Sequence, residues 1–501
     1  MVYAPESSTT HLTYWLLAAI FLMLGITGVL NHEIWLDEAH HWLIARDSTS
    51  LEDLWINMRY EGHPILWNLI LFLITRFSTN VVYMQLTHVL IACAAVCVFL
   101  FYSPFRLFEK LLFISGYFVL YEYTVISRNY SLLILVLFIS LVLYERKKYV
   151  PLGFSLAILA NTHFFGILFA SSLLLQATVE LWAEQHNSRS AILWIAGLIF
   201  LSGVAFSLWQ VIPPGDSTLL PNAQLRPPAE RMGRTSAVFL KALVPIPDFT
   251  SHRYWNSNLL MAVSRPLCAL LSVVIFFLPA LLFRDRLSLV VFFYSSALGL
   301  IAFFFFSDLN AVRYYGGAYM LFVVCMWLHP STPLNAIFPG KRNRRLIDHR
   351  RFFAALLFIQ AFAGISAYAL DIIRPFSGSR EAAQLMLSEK GIQEYISGGC
   401  GAAPVSAYLR QKIFYLNQQE YGSYCYLNKD FENPITTTTM LKQLAVKHVA
   451  ETRIVSFLIA HRPIEIHPGE QHLIRPHGQP VMSALRNEQY HIYILSPPNS
   501  Q

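Results

Sequence analysis

Charged side chains are scarce in this chain of 501 residues. Asp, Glu, Lys and Arg make up 13% of it, whereas an ordinary soluble domain carries about 25%. Hydrophobic residues make up 55%, and the mean hydropathy is +0.46. In water, a fold of this composition would expose a large apolar surface. The composition therefore excludes an ordinary soluble enzyme, a disordered chain and a fibrous repeat, and it predicts a polytopic membrane protein.

Cysteine is also scarce, since the chain has six cysteines in all. This number excludes a disulfide-stapled scaffold. Cys400 and Cys425 are the cysteines of the polar C-terminal region. A disulfide between them and two separate thiols both remain open, because pairing depends on geometry that a sequence does not contain.

Eleven apolar runs are candidates for membrane-spanning helices, since a bilayer core about 30 Å thick needs about 20 apolar residues per helix. They are residues 12–30, 82–101, 111–126, 132–144, 151–160, 164–182, 191–212, 267–283, 287–306, 311–328 and 352–370. A further run, residues 64–77, is shorter and contains Asn68, Thr75 and Arg76. Its length suits an interfacial or re-entrant helix as well as a span.

Basic residues predict which loops face the cytoplasm, because Lys and Arg are enriched on that side. They fall in alternate loops, as Arg106, Lys110, Arg146, Lys147, Lys148, Arg189, Arg284, Arg286, Lys341, Arg342, Arg344, Arg345, Arg350 and Arg351. This distribution explains the net charge of +7 without a nucleic-acid surface. Loops 127–131, 161–163, 213–265 and 307–310 are then external, with everything after Asp371. The loop 31–63 is external if 64–77 is interfacial and cytoplasmic if 64–77 spans.

The composition becomes polar after Asp371, which predicts a second structural unit. We expect helices over 380–390 and 437–446 and strands over 413–416 and 492–495. The predicted organisation is an all-α membrane domain over residues 1–370 and an external α/β domain over residues 371–501.

The first loop is unusually acidic, because seven carboxylates face only Arg46 and Arg59 there. They are Glu33, Asp37, Glu38, Asp47, Glu52, Asp53 and Glu61. Within residues 34–45, apolar side chains recur at helical spacing on one face, and Glu33, Asp37 and His41 share the other. We expect an amphipathic helix at the membrane surface that offers a carboxylate to water. The alternative interpretation is a solvated polar face on a connecting helix.

Three basic side chains match this acidic loop from other external positions: Arg128, His163 and Arg313. Glu122 precedes Arg128 by about a turn and a half if residues 111–126 form one helix. Ionisable groups at such depths are costly, and guanidinium groups suit phosphate. Each group alone is explained by snorkelling to lipid head groups. Together they favour a site for a lipid-linked phosphate.

Four short motifs carry a resemblance to a known superfamily. The runs IWLDEA at 34–39 and EGHPILW at 61–67 resemble the first external loop of GT-C glycosyltransferases. These are polytopic enzymes related to aminoarabinose transferases and protein O-mannosyltransferases. SRNYS at 127–131 and RYY at 313–315 look like that superfamily's second external loop and the Arg-Tyr of a late span. The resemblance extends over about residues 12–370.

The resemblance implies a GT-C fold with about eleven spans, an internal N-terminus, 64–77 as an interfacial helix and an external active site. It implies transfer of a sugar from a polyprenyl phosphate, usually with inversion. Asp37 matches the catalytic acid position and can accept the proton of the acceptor hydroxyl, with Glu38 as its rival. Candidates to bind substrate and stabilise the leaving phosphate are His41, Glu61, His63, Glu122, Arg128, Tyr130, His163, Arg313 and Tyr314.

The chain also departs from the GT-C pattern. Some members carry a second acid in the Arg-x-Tyr loop, where this chain has Asn129 and Ser131. HPILW replaces HPPLYY, and Glu122 is the nearest carboxylate. A divalent metal therefore stays open as a cofactor, and no other cofactor is expected.

The predicted location is the plasma membrane of a bacterium, with a lipid, glycan or protein as acceptor. Two other classes remain open: a transporter or flippase of lipid-linked saccharide, and a non-catalytic component of envelope polysaccharide assembly. The chain shows no inverted repeat of the kind common in transporters.

Overall fold

The computed structural model describes residues 8–184, 187–217, 226–307, 309–332, 348–392, 394–425 and 435–498. Four residues of the largest basic run, Lys341, Arg342, Arg344 and Arg345, lie outside this part of the chain, as does the side chain of Arg189. Within the described part, all regular elements up to Ile373 are helices, and a small mixed sheet with its own helices follows.

The helices of the membrane region are numbered in chain order. They are α1 Ser8–Asn31, α2 Leu36–Asp47, α3 Leu51–Met58, α4 Leu66–Thr75, α5 Val82–Tyr102, α6 Leu107–Ile114, α7 Tyr130–Glu145, α8 Tyr149–Ala160, α9 Phe164–Glu184, α10 Asn187–Val211, α11 Pro228–Thr235, α12 Val238–Leu243, α13 Leu259–Val263, α14 Arg265–Leu282, α15 Leu287–Phe306, α16 Val312–Leu328 and α17 His349–Ile373.

Seven of the described helices are long and apolar enough to cross a membrane: α1, α5, α9, α10, α14, α15 and α17. Four shorter apolar helices, α4, α7, α8 and α16, accompany them. Helix α16 lies at the centre of the bundle, since every residue from Val312 to Leu328 is buried. The prediction of a polytopic, mainly helical membrane domain is confirmed.

The prediction of one continuous helix over residues 111–126 is wrong. Helix α6 ends at Ile114, and a π-helix over Tyr117–Glu122 follows the break. The break packs directly on α17, where a Cβ on Gly364 would lie 2.3 Å from the Ser115 carbonyl oxygen. Backbones approach this closely only at small residues. Glu122 and Arg128 are therefore not on the same helix.

Helix α4 is too short to span, because ten residues rise only about 15 Å. It packs beside α2 instead, with Trp67 and Leu71 in the same apolar cluster as Trp42. Helix α4 is therefore packed as part of the first loop.

The C-terminal sheet is mixed and has six strands. The elements that follow α17 are α18 Ser379–Ser388, β1 Glu394–Ser397, α19 Ala403–Leu409, β2 Ile413–Tyr415, β3 Glu420–Gly422, α20 Thr438–Thr452, β4 Ser456–Ala460, β5 Ile474–Pro476 and β6 His491–Leu495. The strand order is β3-β2-β1-β4-β6-β5, and β1 is parallel to both β2 and β4. Helices α18 and α19 cover one face and α20 the other. The predicted C-terminal helices and strands are confirmed, with shifted ends.

The first loop is partly covered by this sheet region. Ala403 and Ala407 of α19 share a buried cluster with Trp42 of α2, and the Tyr408 hydroxyl accepts a hydrogen bond from the Ile34 N–H at 3.0 Å. The expected water-facing surface of α2 is wrong at His41, which is buried, whereas the Asp37 carboxylate is 28% exposed, as expected. Cys400 and Cys425 form a disulfide.

Candidate active site

Asp37 lies between two arginine side chains at the start of α2. Its Oδ2 is 2.7 Å from Nη2 of Arg313 and 3.5 Å from Nη1 of Arg128. Arg128 Nη1 also donates to the main-chain oxygen of Asp37 at 2.7 Å. The Asp37 side chain is 28% exposed, whereas those of Arg128 and Arg313 are 5% and 9% exposed. The centre is therefore a carboxylate that solvent reaches, backed by two buried cations.

The two guanidinium groups have hydrogen-bonding capacity to spare. Nε and Nη1 of Arg313 and Nε of Arg128 are buried and have no partner among the described residues. The Arg313 guanidinium lies over the rings of Tyr314, Trp35 and Trp255, at 4.9, 5.1 and 5.9 Å. Buried N–H groups without partners are costly unless a ligand satisfies them. The geometry fits a bound oxyanion.

The charge of Asp37 depends on these cations. Burial alone opposes its ionisation, but Arg313 and then Arg128 hold its pKa below the usual value. Asp37 is thus ionised at neutral pH. A carboxylate whose pKa is lowered in this way is a weak base until another anion shares the positive charge of the arginines.

Glu38 faces the opposite way and is completely buried. Its carboxylate lies 3.0 Å from His32 Nε2 and accepts hydrogen bonds from the main-chain N–H groups of Trp35 and Ser127, at 3.2 and 2.5 Å. His32 Nδ1 lies 3.0 Å from Asp371. Burial lowers the pKa of His32, yet the carboxylates of Asp371 and Glu38 raise it to about 10. Glu38 thus ties α2 to the loop that carries Arg128.

Three neutral histidines line the site. The ring centroids of His41 and His63 are 5.7 Å apart, and those of His63 and His163 are 5.9 Å apart. Burial and the Arg128 charge lower the pKa of His63 to about 3. Burial also lowers the pKa of His41 and His163 well below the usual value. A row of uncharged imidazoles offers hydrogen bonds without adding charge.

Glu61 pairs with a residue that sequence reasoning missed. Its Oε1 lies 2.8 Å from His40 Nε2. Burial lowers the pKa of His40, but Glu61 raises it above the usual value. His40, Glu61, His63 and Asp37 are all partly exposed, so together they form the open side of the site.

The remaining predicted residues lie deeper. Glu122 accepts hydrogen bonds from Trp255 Nε1 at 3.1 Å and the Tyr117 hydroxyl at 3.2 Å, and does not pair with Arg128. The Tyr130 ring is 4.9 Å from the His163 ring. The Tyr314 hydroxyl accepts a hydrogen bond from Arg313 Nη2 at 3.3 Å. These side chains form the floor under the two guanidinium groups.

Several partners of the site come from distant parts of the sequence. Asp371 completes the His32 pair, Trp255 lies over Arg313, and Glu488 Oε1 accepts a hydrogen bond from the Leu36 N–H at 2.7 Å. None of these positions carries a motif, so only the folded structure identifies them. His40 lies within the acidic loop that the sequence indicates, but its pairing with Glu61 is seen only in the structure.

The residues present do not fit a divalent metal ion. Both arginines point at Asp37, so a cation there would be repelled. Among the described residues, no group of three or more His, Cys, Asp and Glu side chains is placed to hold a metal.

A basic cavity opens at the same end of α16. It has a volume of about 770 Å³, and its lining includes Val312 and Tyr315, which flank Arg313 and Tyr314. Arg234, Lys241 and Arg265 also line it, with Glu230 as the acid among its lining residues. The excess of positive charge favours an anionic ligand.

Comparison with known proteins identifies the fold. No protein-family model matches this chain, and no curated protein sequence matches it. The crystal structure of ArnT from Cupriavidus metallidurans in the apo state is similar, with a TM-score of 0.50 and 11% identity over 98% of this chain and 100% of that chain. A structure of the same protein bound to undecaprenyl phosphate has the same identity and coverage and a TM-score of 0.48. The predicted fold class, a helical membrane region followed by a C-terminal α/β region, is confirmed, and the fold is similar to that of ArnT.

Proposed function

We propose that this protein is a membrane glycosyltransferase that moves a sugar from a polyprenyl-phosphate-linked donor to an acceptor hydroxyl. The observation that carries the proposal is the solvent-accessible carboxylate of Asp37 between two buried guanidinium groups with unused N–H donors. The GT-C fold and the motifs in the first loop support it. The basic cavity beside Arg313 supports an anionic lipid-linked substrate.

The charges of the site balance through the proposed reaction. Arg128, Arg313 and ionised Asp37 sum to about +1, which matches the single negative charge of a polyprenyl phosphate sugar. The acceptor oxygen bonds to the anomeric carbon as the bond from that carbon to the phosphate oxygen breaks. Asp37 takes the acceptor's proton and becomes neutral. The leaving phosphate monoester, with a charge near −2, then faces two cations.

Donor binding also explains how Asp37 becomes a usable base. A phosphate that takes up the free N–H groups of Arg128 and Arg313 shares their charge with Asp37. The pKa of Asp37 then rises from its lowered value toward the range in which a carboxylate accepts a proton effectively. We assign the neutral, partly exposed His63 to a hydrogen bond with the sugar, with His41 and His163 packed behind it.

Release of polyprenyl phosphate tests the proposal directly. Purified protein in nanodiscs should cleave a labelled polyprenyl-phosphate sugar in the presence of an acceptor and release labelled polyprenyl phosphate. In proteoliposomes, movement of the intact donor across the bilayer without cleavage would instead identify a flippase. Neither activity across a panel of sugars would favour a non-catalytic component.

Arg313→Ala is expected to weaken donor binding by about ten-fold to a hundred-fold. One charge-assisted hydrogen bond contributes roughly 1.5–3 kcal/mol, and Arg313 has two unused donors in addition to its bond with Asp37. The measurement is the dissociation constant of a polyprenyl-phosphate sugar. Arg253→Ala, on an exposed external segment, is the control. Equal donor affinity in Arg313→Ala and the wild type would assign Arg313 to the protein's own packing.

We also propose that the first loop and the C-terminal sheet both lie outside the cytoplasm. They share one side of the membrane, since the Arg380 N–H donates to Glu33 at 3.0 Å. A cysteine at the exposed Glu52 should react with an impermeant maleimide in intact cells, whereas one at the exposed Lys148 should react only after permeabilisation. The reverse pattern would place the site in the cytoplasm.

A further inference from the structure

The C-terminal sheet carries a second cavity, remote from Asp37. It has a volume of about 430 Å³ and lies at the carboxyl ends of the parallel strands β1 and β4. Gly398, Gly399 and Gly401 line it directly after β1, and His461 and Arg462 line it directly after β4. A volume of this size is within the range of small-molecule sites.

The topology makes this edge of the sheet a preferred position for a ligand. The connection from β1 to β2 passes through α19 on one face, and the connection that returns to β4 passes through α20 on the other. In open α/β sheets, ligands bind outside the carboxyl ends of the strands where the connections diverge in this way. The cavity lies between the two strands at that point.

The lining has an unused hydrogen-bonding group. The side-chain oxygen of Asn417 is buried and has no partner among the described residues. The His461 ring interacts with the main chain at Gln489 and Asn487. Burial lowers the pKa of His461 to about 4, so its ring adds no charge to the cavity. Thr436 and Thr438 add hydroxyl groups, while Leu441 and Ile459 add apolar surface.

The charges at the cavity favour an anion. None of its described lining residues is acidic, and Arg462 contributes a guanidinium group. Helix α20 begins at the cavity wall. The side chain of its N-cap residue, Thr437, accepts a hydrogen bond from the N–H of Met440. The positive end of this fifteen-residue helix therefore adds to the Arg462 charge.

We propose that this cavity binds a saccharide residue that carries an oxyanion, either a phosphate or a carboxylate. The hydroxyl and amide groups of the lining fit sugar hydroxyls, the apolar wall fits a sugar face, and Arg462 with the start of α20 fits the oxyanion. This binding does not depend on the proposed transferase activity.

The cavity is connected to the helix that carries Asp37. The glycine loop after β1 continues through Cys400 into α19, and Ala403 and Ala407 of α19 pack against α2. The disulfide partner Cys425 follows Tyr424, whose ring lies 5.8 Å from the ring of His40. A saccharide bound here is therefore held on the same packed unit as the catalytic helix.

Gly399 offers a way to fill the cavity without disturbing the fold. A Cβ on Gly399 would find Asn417 Nδ2, at 3.9 Å, as its only neighbour within 4 Å among the described residues. Gly469 lies in the same sheet region but outside the cavity, and a Cβ there meets nothing described within 4 Å. Gly399→Leu and Gly469→Leu are thus a matched pair, and Arg462→Gln removes the charge without adding volume.

The test is ligand-observed NMR on the full-length protein in nanodiscs, with glucose 6-phosphate, glucuronate, glucose and inorganic phosphate as separate probes. We expect saturable binding of the first two, weakened at least about ten-fold by Gly399→Leu and by Arg462→Gln and unchanged by Gly469→Leu. Equal binding of glucose, or binding of inorganic phosphate alone, would overturn the proposal. So would the absence of saturable binding of both anionic sugars, or binding unaffected by both cavity variants.

Discussion

Asp37→Asn is expected to lower turnover by about 10²-fold to 10⁴-fold, the usual contribution of a general base. The amide keeps the shape of the side chain but cannot take the acceptor's proton. Donor affinity should not fall, because the substitution removes the anion that competes with phosphate for Arg128 and Arg313. This combination of slow turnover with equal or tighter donor binding separates a catalytic base from a residue that only binds donor.

The control for this variant is Glu52→Gln, which neutralises an exposed carboxylate on α3 in the same acidic loop and should leave turnover unchanged. Normal turnover by Asp37→Asn would remove Asp37 from the mechanism. Glu38→Gln needs a stability measurement beside its kinetics, because Glu38 is buried against His32 and not directed at the open side.

The pH dependence gives a second readout on Asp37. The profile of kcat/KM reports the free enzyme, and there the two guanidinium groups lower the pKa of Asp37. We therefore expect kcat/KM to lack an acidic limb due to Asp37 above pH ~5. The profile of kcat reports the donor complex, where phosphate shares the positive charge, so its acidic limb should lie at higher pH. Coincident limbs in the two profiles would contradict the proposed competition between phosphate and Asp37.

The sequence predicted the membrane class because apolar runs are a local signal, and it predicted the GT-C fold through the resemblance of short motifs to that superfamily. Apolar runs identify spans, and the first-loop motif contains Asp37 within a few residues of its helix start. Arg128, His163 and Arg313 were predicted together opposite the acidic loop, and the structure brings both arginines to Asp37. Short motifs at loop positions therefore contain many residues of the candidate site.

The parts that failed depend on contacts between distant residues. The polar face expected for α2 is occupied by side chains from elsewhere in the chain, since Arg313 pairs with Asp37 and Asn68 is hydrogen-bonded to His41. The break before Tyr117 packs closely on α17 because Gly364 has no Cβ at the contact. Glu38 was the rival of Asp37 in sequence, and its contact with the buried His32, which also pairs with Asp371, distinguishes the two acids in the structure. Hydrophobic periodicity carries no information on such partners.

The buried group of Glu38, His32 and Asp371 leads to the second large expected effect, on stability. His32→Gln should lower the free energy of unfolding by about 3–5 kcal/mol, the cost of leaving buried charges without a partner. Both carboxylates lie 3.0 Å from the imidazole, and His32 itself is fully buried. Thermal unfolding of the purified protein in detergent measures the loss. Adding Glu38→Gln to His32→Gln should recover part of it, since one uncompensated charge is then removed.

The same group predicts how stability varies with pH. The pKa of folded His32 is raised to about 10, whereas an unfolded histidine titrates near 6.5. The stabilisation is therefore fully present below pH ~6.5 and is lost as the pH rises toward 10. The melting temperature of the wild type should fall across this interval more steeply than that of His32→Gln. Parallel curves would show that His32 is neutral in the folded protein, and α2 would then be held in register by hydrogen bonds alone.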